Sequence, residues 1–143
     1  MIVCKSPEEL ARMRVANQIV AGVLQELQAM AAPGVTTADL DATVEARVLA
    51  SGATPAFKGY RGYPASLCAS INDEVVHGIP SMRELVQGDI VSLDVGVLIE
   101  GFYGDSALTV AVGEISDEAD TLLRVTEEAL ELAIAEVCVG SRV

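Results

Sequence analysis

The chain has 143 residues, the length of one domain, and 51% of them are hydrophobic, mostly Ala, Val and Leu. This composition predicts a globular protein with an aliphatic core and excludes a disordered chain. The 21 acidic residues outnumber the 9 basic ones and give a net charge of -12. So little positive surface cannot neutralise a phosphate backbone, and we expect no nucleic-acid partner.

The three cysteines, Cys4, Cys68 and Cys138, lie far apart and form no CxxC pair. Their spacing indicates reduced thiols rather than a disulfide framework or a zinc knuckle. The stretch before Lys5 is too short for a signal-peptide core, and no apolar run reaches the length of a membrane span. We therefore expect a cytoplasmic protein without a membrane partner.

Helical patterns open the chain. Residues 6–9 place a capping serine before a proline and a glutamate that can complete a capping box. Apolar residues then recur at helical spacing and stop before residues 33–34. A second helix is predicted to start at Thr36 or Thr37 and to stop at residues 51–52, a Ser-Gly pair typical of a carboxy-terminal cap.

A glycine-rich aromatic loop at residues 57–64 separates these helices from a region rich in strands. The predicted strands span residues 65–71, 90–99 and 102–112. The last two flank Glu100 and Gly101, where a tight hairpin turn fits. A final helix is predicted at residues 117–137, with an acidic first turn that complements the helix dipole. This order predicts an α+β fold, an antiparallel sheet with helices packed on one face.

The hairpin contains two aspartates, a residue type normally depleted in strands. A two-residue turn at Glu100 and Gly101 would place Asp94 opposite Ala107, so that Asp105 becomes its diagonal neighbour on the same face. Diagonal pairs lie about 7 to 8 Å apart, within reach of two carboxylates that share an ion. Two carboxylates about 5 Å apart repel by about 3 kcal/mol at an effective dielectric constant of about 20, and a cation would reverse this cost.

The two faces of the hairpin differ in composition. Apolar residues predict the buried face: Val91, Leu93, Val95, Val97, Leu108, Val110 and Val112. Small residues surround the aspartates and leave space for ions and substrate: Ser92, Gly96, Ala107 and Thr109. Oxygen ligands suit Mn²⁺ or Mg²⁺, with iron, cobalt and zinc as alternatives. The same spacing is also compatible with aspartates that only lie exposed on the solvent-facing side of an amphipathic sheet.

The single histidine, His77, is followed by Gly78 and then by Pro80. Such neighbours indicate the end of a strand, where a side chain can point at a ligand. A structural or solvent-facing histidine is the alternative interpretation.

Five motifs follow one another in order along the chain. They are Tyr60-x-Gly62-Tyr63-Pro64, Cys68-x-Ser70-Ile71-Asn72, His77-Gly78-Ile79-Pro80, Asp94-Val95 and Gly101-Phe102-x-Gly104-Asp105. Each is weak alone, but together, in this order and spacing, they resemble the amino-terminal half of a bacterial type I methionine aminopeptidase. The resemblance implies half of a pita-bread fold, with residues 1–143 as an incomplete catalytic domain that lacks its second half.

The resemblance also implies a function, the metal-dependent removal of the amino-terminal methionine from nascent proteins by two divalent metal ions. It implies that Asp94 binds one ion through both oxygens and that Asp105 bridges the two. His77 would contact the substrate and steady the tetrahedral intermediate without binding metal. The positions that match the methionine side-chain pocket are Tyr60, Tyr63 and Cys68. Ordinary loop packing for the tyrosines and a small core residue for the cysteine are the alternatives.

The chain departs from the family where the second half of the site should follow. No second Gly-His-Gly-Ile-like motif is present, and the histidine and two glutamates that complete the family site are missing. We therefore expect weak metal binding and impaired or absent activity in this chain alone. Three hypotheses stay open: a half that joins a complementary half, a homodimer that pools its aspartates and histidines, and a non-catalytic fragment that binds metal or a partner.

Overall fold

The computed structural model describes residues 3–142. The helices are α1 (Pro7–Met30), α2 (Thr37–Ala50) and α3 (Asp117–Ala135), and the strands are β1 (Thr54–Pro55), β2 (Leu67–Ile71), β3 (Ile90–Ile99) and β4 (Phe102–Ala111). Every predicted helix and strand forms, with ends that differ from the prediction by a few residues, and β1 is an addition. Met1, Ile2 and Val143, which the predicted domain includes, lie outside the described residues.

Local capping explains where the first two helices begin. The Ser6 hydroxyl accepts a hydrogen bond from the Glu9 amide at 3.2 Å, and the Glu9 carboxylate accepts one from the Ser6 amide at 2.8 Å. Helix α2 repeats this capping box with Thr36 and Asp39. Each box satisfies amide groups that the first turn of a helix leaves without partners. Thr36 is thus the cap of α2.

Strand β3 is the centre of the four-stranded antiparallel sheet. Strands β1 and β2 pair with successive parts of β3, and β4 pairs with β3 along its whole length. The β3–β4 turn has positive φ angles at both Glu100 (49°) and Gly101 (81°). A type I′ turn requires this conformation, and its twist matches that of the two strands. The predicted two-residue hairpin is therefore confirmed.

Helices α1 and α2 cover one face of the sheet and form the core with it. Strand β3 contributes four fully buried side chains, Val91, Leu93, Val95 and Val97, and the helices contribute Val20, Leu27, Leu40, Val44 and Val48. Helix α1 crosses β4 closely, because a Cβ atom at Gly104 would lie 2.6 Å from the backbone carbon of Ala16. Only glycine allows this distance. The face that packs against the helices is the apolar face that the sequence predicted to be buried.

Helix α3 differs from the other two helices, because none of its residues is buried. Its Ser116 cap accepts a hydrogen bond from the Ala119 amide, so its start follows the same local chemistry as α1 and α2. Five large apolar side chains are nevertheless exposed on it: Leu122, Val125, Leu130, Leu132 and Ile134. Within residues 3–142, no helix combines the length and the apolar character that a membrane crossing requires.

Candidate active site

The hairpin register brings two carboxylates to one face of the sheet. Asp94 pairs with Ala107, and Asp105 pairs with Gly96, so the two aspartates are diagonal neighbours as predicted. On the other edge of β3, Cys68 pairs with Asp94. The pleat directs paired residues to the same face, so this face holds two acids and a thiol beside side chains of minimal size.

Asp94 differs from the other residues of this face in its electrostatic surroundings. Its Oδ1 atom is buried and has no hydrogen-bond partner among the described residues. Burial, followed by the neighbouring charge of Asp105, raises the pKa of the Asp94 carboxyl to about 6, while the charge of His77 acts in the opposite direction. A buried acceptor without a donor next to a second carboxylate has the chemistry of a cation site.

A cavity of about 660 Å³ lies above the carboxylates. All six residues that the sequence predicted for the site line it: Tyr60, Tyr63, Cys68, His77, Asp94 and Asp105. They come from a loop, three strands and a second loop, so only the folded sheet brings them together. Their placement in one cavity agrees with the predicted roles, which stay predictions.

The cavity wall next to β2 is fixed by hydrogen bonds. The Tyr63 hydroxyl lies 2.9 Å from the carbonyl oxygens of both Leu67 and Gly78. Burial is the main reason why the pKa values of the Tyr63 phenol and the Cys68 thiol are raised. Both groups therefore stay protonated near neutral pH, and the wall they form is uncharged.

The outer rim of the cavity is formed by Tyr60 and Arg61. The Tyr60 side chain is 64% exposed, and the Arg61 guanidinium lies 5.4 Å from the centre of its ring. This distance is typical of a cation–π contact. Arg61 has a φ of 49°, an unusual conformation for a non-glycine residue, within a short 3₁₀ turn at Tyr60–Gly62.

His77 lies in the loop between β2 and β3, so the prediction of a strand end was wrong. The chain turns away from β2 at Asn72, whose φ is 56°, and His77 itself has a φ of 59°. A residue in this left-handed region cannot continue a strand. The imidazole nevertheless lines the cavity with Asp94 and Asp105.

Phe57 also lines the cavity and was not among the predicted site residues. Its ring packs on Gly96, where an added Cβ atom would lie 2.5 Å from the ring atom Cε1. A glycine inside a strand often marks such a close approach. The glycine in the middle of β3 was therefore the one sequence feature that pointed to an aromatic neighbour.

The cavity offers few side chains that could bind a metal ion. Among residues 3–142, no group of three or more His, Cys, Asp or Glu side chains is arranged to hold an ion. The unpartnered Asp94 oxygen and the nearby Asp105 carboxylate do fit two ligands of such a centre. That Asp94 and Asp105 bind metal stays a prediction.

The aspartate face continues into a second, open cavity of about 910 Å³. The loop residues Val75 and Val76 line it together with Leu122 and Leu130 of α3, and Asp94 belongs to both cavities. The polar face of the sheet is therefore bordered by exposed apolar side chains.

Comparison with solved structures defines the fold class. The crystal structure of methionine aminopeptidase from Thermotoga maritima matches 96% of this chain and 55% of that chain, with a TM-score of 0.92 and 42% identity. The predicted α+β architecture, half of a pita-bread fold, is confirmed by this match.

Sequence comparison places the chain in a family. The pattern of Metallopeptidase family M24 matches residues 11–143, and the chain belongs to this family. Methionine aminopeptidase 1 of Bacillus subtilis is 48% identical over 99% of this chain and 57% of its own length. Methionine aminopeptidase 1 of Mycobacterium tuberculosis is 49% identical over 96% of this chain and 52% of its own length. The predicted resemblance is confirmed, and the chain spans little more than half the length of these relatives.

Proposed function

We propose that residues 1–143 form the amino-terminal half of a methionine aminopeptidase catalytic domain and contribute to removal of the initiator methionine from new proteins. One observation carries this proposal: the carboxylates of Asp94 and Asp105 share a cavity with His77 and with an aromatic and thiol wall. The relatives that are 48% and 49% identical over the aligned region are methionine aminopeptidases. The free cysteines support a reducing, cytoplasmic location.

Asp94 and Asp105 are the proposed metal ligands. Both carboxylates would together hold the two ions, as the family resemblance implies. Two observations support this assignment: the Oδ1 atom of Asp94 is buried without a hydrogen-bond partner among the described residues, and the pKa of this carboxyl is raised. Both are expected of a carboxylate whose counterion is absent. When bound, two divalent cations (Mn, Fe, Co, Zn or Mg) would supply Lewis acidity toward the peptide carbonyl and the attacking water.

The other cavity residues act on the substrate. His77 would donate a hydrogen bond to the peptide and steady the tetrahedral intermediate. The methionine thioether would lie against Tyr60, Tyr63 and Cys68, with Phe57 at the same wall. Sulfur–aromatic contacts stabilise such a complex by about 0.3 to 1.5 kcal/mol each, and the uncharged wall suits an apolar side chain.

The chain requires further groups for catalysis, because a base must accept the proton of the attacking water. We propose that a complementary half supplies this base and the remaining ligands, and that it packs on the second cavity and the apolar side chains of α3. A second copy of this chain is the less favoured partner, because each copy has a net charge of -12 and the two would repel.

Three measurements test this function. Isothermal titration with MnCl₂ or CoCl₂ should show binding to the chain, and mass measurement in solution should show whether the metal changes its oligomeric state. Hydrolysis of a Met-Gly peptide should require a separately produced second half of a relative. A chain that binds no metal and stays inactive with every such half would contradict the proposal. Metal-dependent dimers with peptidase activity would favour the homodimer instead.

A further inference from the structure

Gly78, the residue after His77, is fixed to the sheet by its backbone. The Ala69 amide donates to the Gly78 carbonyl at 2.9 Å, and the Gly78 amide donates to the Ser70 hydroxyl at 3.0 Å. A Cβ atom at Gly78 would overlap the Ala69 carbonyl oxygen. The peptide on either side of Gly78 is therefore held by β2, although it belongs to the following loop.

The Tyr63 hydroxyl adds a contact from the cavity wall. It lies 2.9 Å from the carbonyl oxygens of both Gly78 and Leu67, so it links the loop to the start of β2. Ser70 is buried within β2, and its hydroxyl accepts the bond from the Gly78 amide. Two side-chain hydroxyls thus hold the amide and the carbonyl of one residue.

His77 needs such support, because its φ of 59° lies in the left-handed region. This conformation is strained for a non-glycine residue, and it persists only where the surroundings fix it. The side chain of His77 has no hydrogen bond among the described residues that would hold it from its own side. The hydrogen bonds of Gly78 fix the backbone next to His77, whose imidazole lines the cavity with Asp94 and Asp105.

We infer that Tyr63 and Ser70 are positioning residues that keep His77 above the carboxylate pair through Gly78. This inference rests on the proposed function, in which His77 contacts the substrate. Tyr63 then has two roles: its ring forms part of the pocket wall, and its hydroxyl fixes the histidine loop. Ser70 is not among the residues that line the first cavity, although it lines the adjoining second one, and it contacts the histidine loop through the Gly78 amide.

Nuclear magnetic resonance tests this inference directly, because His77 is the only histidine and its imidazole signals are unique. The metal-free chain is compared with Tyr63→Phe and Ser70→Ala at one fixed pH. Both variants should shift the His77 signals toward those of a free imidazole and lose their nuclear Overhauser contacts to cavity protons. The matched controls are Tyr103→Phe, which removes an exposed hydroxyl, and Ser66→Ala, which removes a buried hydroxyl without a partner.

Addition of MnCl₂ gives an independent measurement, because the ion broadens signals of nearby protons. The His77 signals should broaden in the wild-type chain and in both controls, and should lose most of this broadening in Tyr63→Phe and Ser70→Ala. Wild-type shifts and broadening in both variants would overturn the inference. If Tyr63→Phe loses its amide dispersion, Ser70→Ala decides alone. A wild-type signal that Mn²⁺ leaves sharp would count against the proposed metal site, while the metal-free comparison still decides the positioning role.

Discussion

Asp94 and Asp105 are diagonal neighbours across the hairpin, and the residues directly opposite them, Ala107 and Gly96 respectively, have almost no side chain. The two carboxylates therefore share open space rather than packing against larger neighbours. Among the described residues the buried Oδ1 atom of Asp94 has no hydrogen-bond partner, and burial together with the charge of Asp105 raises the pKa of this carboxyl, whereas the charge of His77 lowers it.

The first prediction concerns metal affinity. Asp94→Asn and Asp105→Asn should each weaken Mn²⁺ binding by about tenfold or more, a loss of about 1.4 kcal/mol or more, because each removes a charged oxygen ligand. Isothermal titration calorimetry measures the effect. Asp120→Asn on α3 is the matched control, since it makes the same change at a residue that is not among those lining either cavity. Equal affinity in all four proteins would show that the ion binds elsewhere.

The second prediction concerns pH. The pKa of Asp94 is about 6 in the folded chain and 3.8 ordinarily, so between these values the folded chain holds a proton that the unfolded chain has released. Stability from this group is therefore present at low pH and falls as the pH rises through this window. Urea unfolding in chelated buffer should show Asp94→Asn more stable than wild type at neutral pH, with no difference near the lower limit of the window. Parallel pH profiles would contradict the assignment.

The third prediction concerns the wall of the cavity. Gly96→Ala would place a methyl group 2.5 Å from the Phe57 ring, so the ring must move. We expect a loss of stability of about 1 to 3 kcal/mol, and weaker binding of a methionine-containing peptide because the ring shifts within the cavity lining. Thermal unfolding and peptide titration measure the two effects. Gly96→Ala combined with Phe57→Ala should recover part of the stability, and a double variant that recovers none would show that the ring is not the obstacle.

The fourth prediction compares the change in stability when two glycines with different surroundings are replaced by alanine. Gly104→Ala should cost more than about 2 kcal/mol, because the added methyl group would meet the backbone of α1 at Ala16. Gly22→Ala in the exposed middle of α1 meets no atom within 4 Å and should stabilise the chain by about 0.5 to 1 kcal/mol. Chemical denaturation of both variants measures this contrast, and a neutral Gly104→Ala would mean that α1 does not approach β4 so closely.

The fifth prediction concerns α3. Leu27→Ala in the core should destabilise the chain by about 2 to 5 kcal/mol, whereas Leu130→Ala on α3 should change stability by less than about 0.5 kcal/mol. Leu27 is fully buried and Leu130 is 61% exposed. If a complementary half binds as proposed, Leu130→Ala should weaken that association instead. A large loss of stability in the isolated chain would show that α3 is packed.

Local sequence predicted the starts of the helices, because the capping side chains at Ser6 and Thr36 bond to amides three residues away. It also predicted the register of the hairpin, since Glu100 and Gly101 form a turn whose length fixes every pair along β3 and β4. The diagonal placement of Asp94 and Asp105 follows from that register alone. The buried face followed as well, because side chains alternate along a strand.

Tertiary contacts decided the rest. The conformation of His77 depends on bonds that join Gly78 to Tyr63 and Ser70, and the position of Phe57 depends on Gly96, which lies on another element. The exposure of α3 is also a tertiary property, because the sheet does not cover the apolar side chains of this helix. Spacing and periodicity describe neighbours along the chain, whereas these features arise from packing between distant segments. The sequence by itself therefore determined which residues share a strand face, and only the folded structure decided which of them share a cavity.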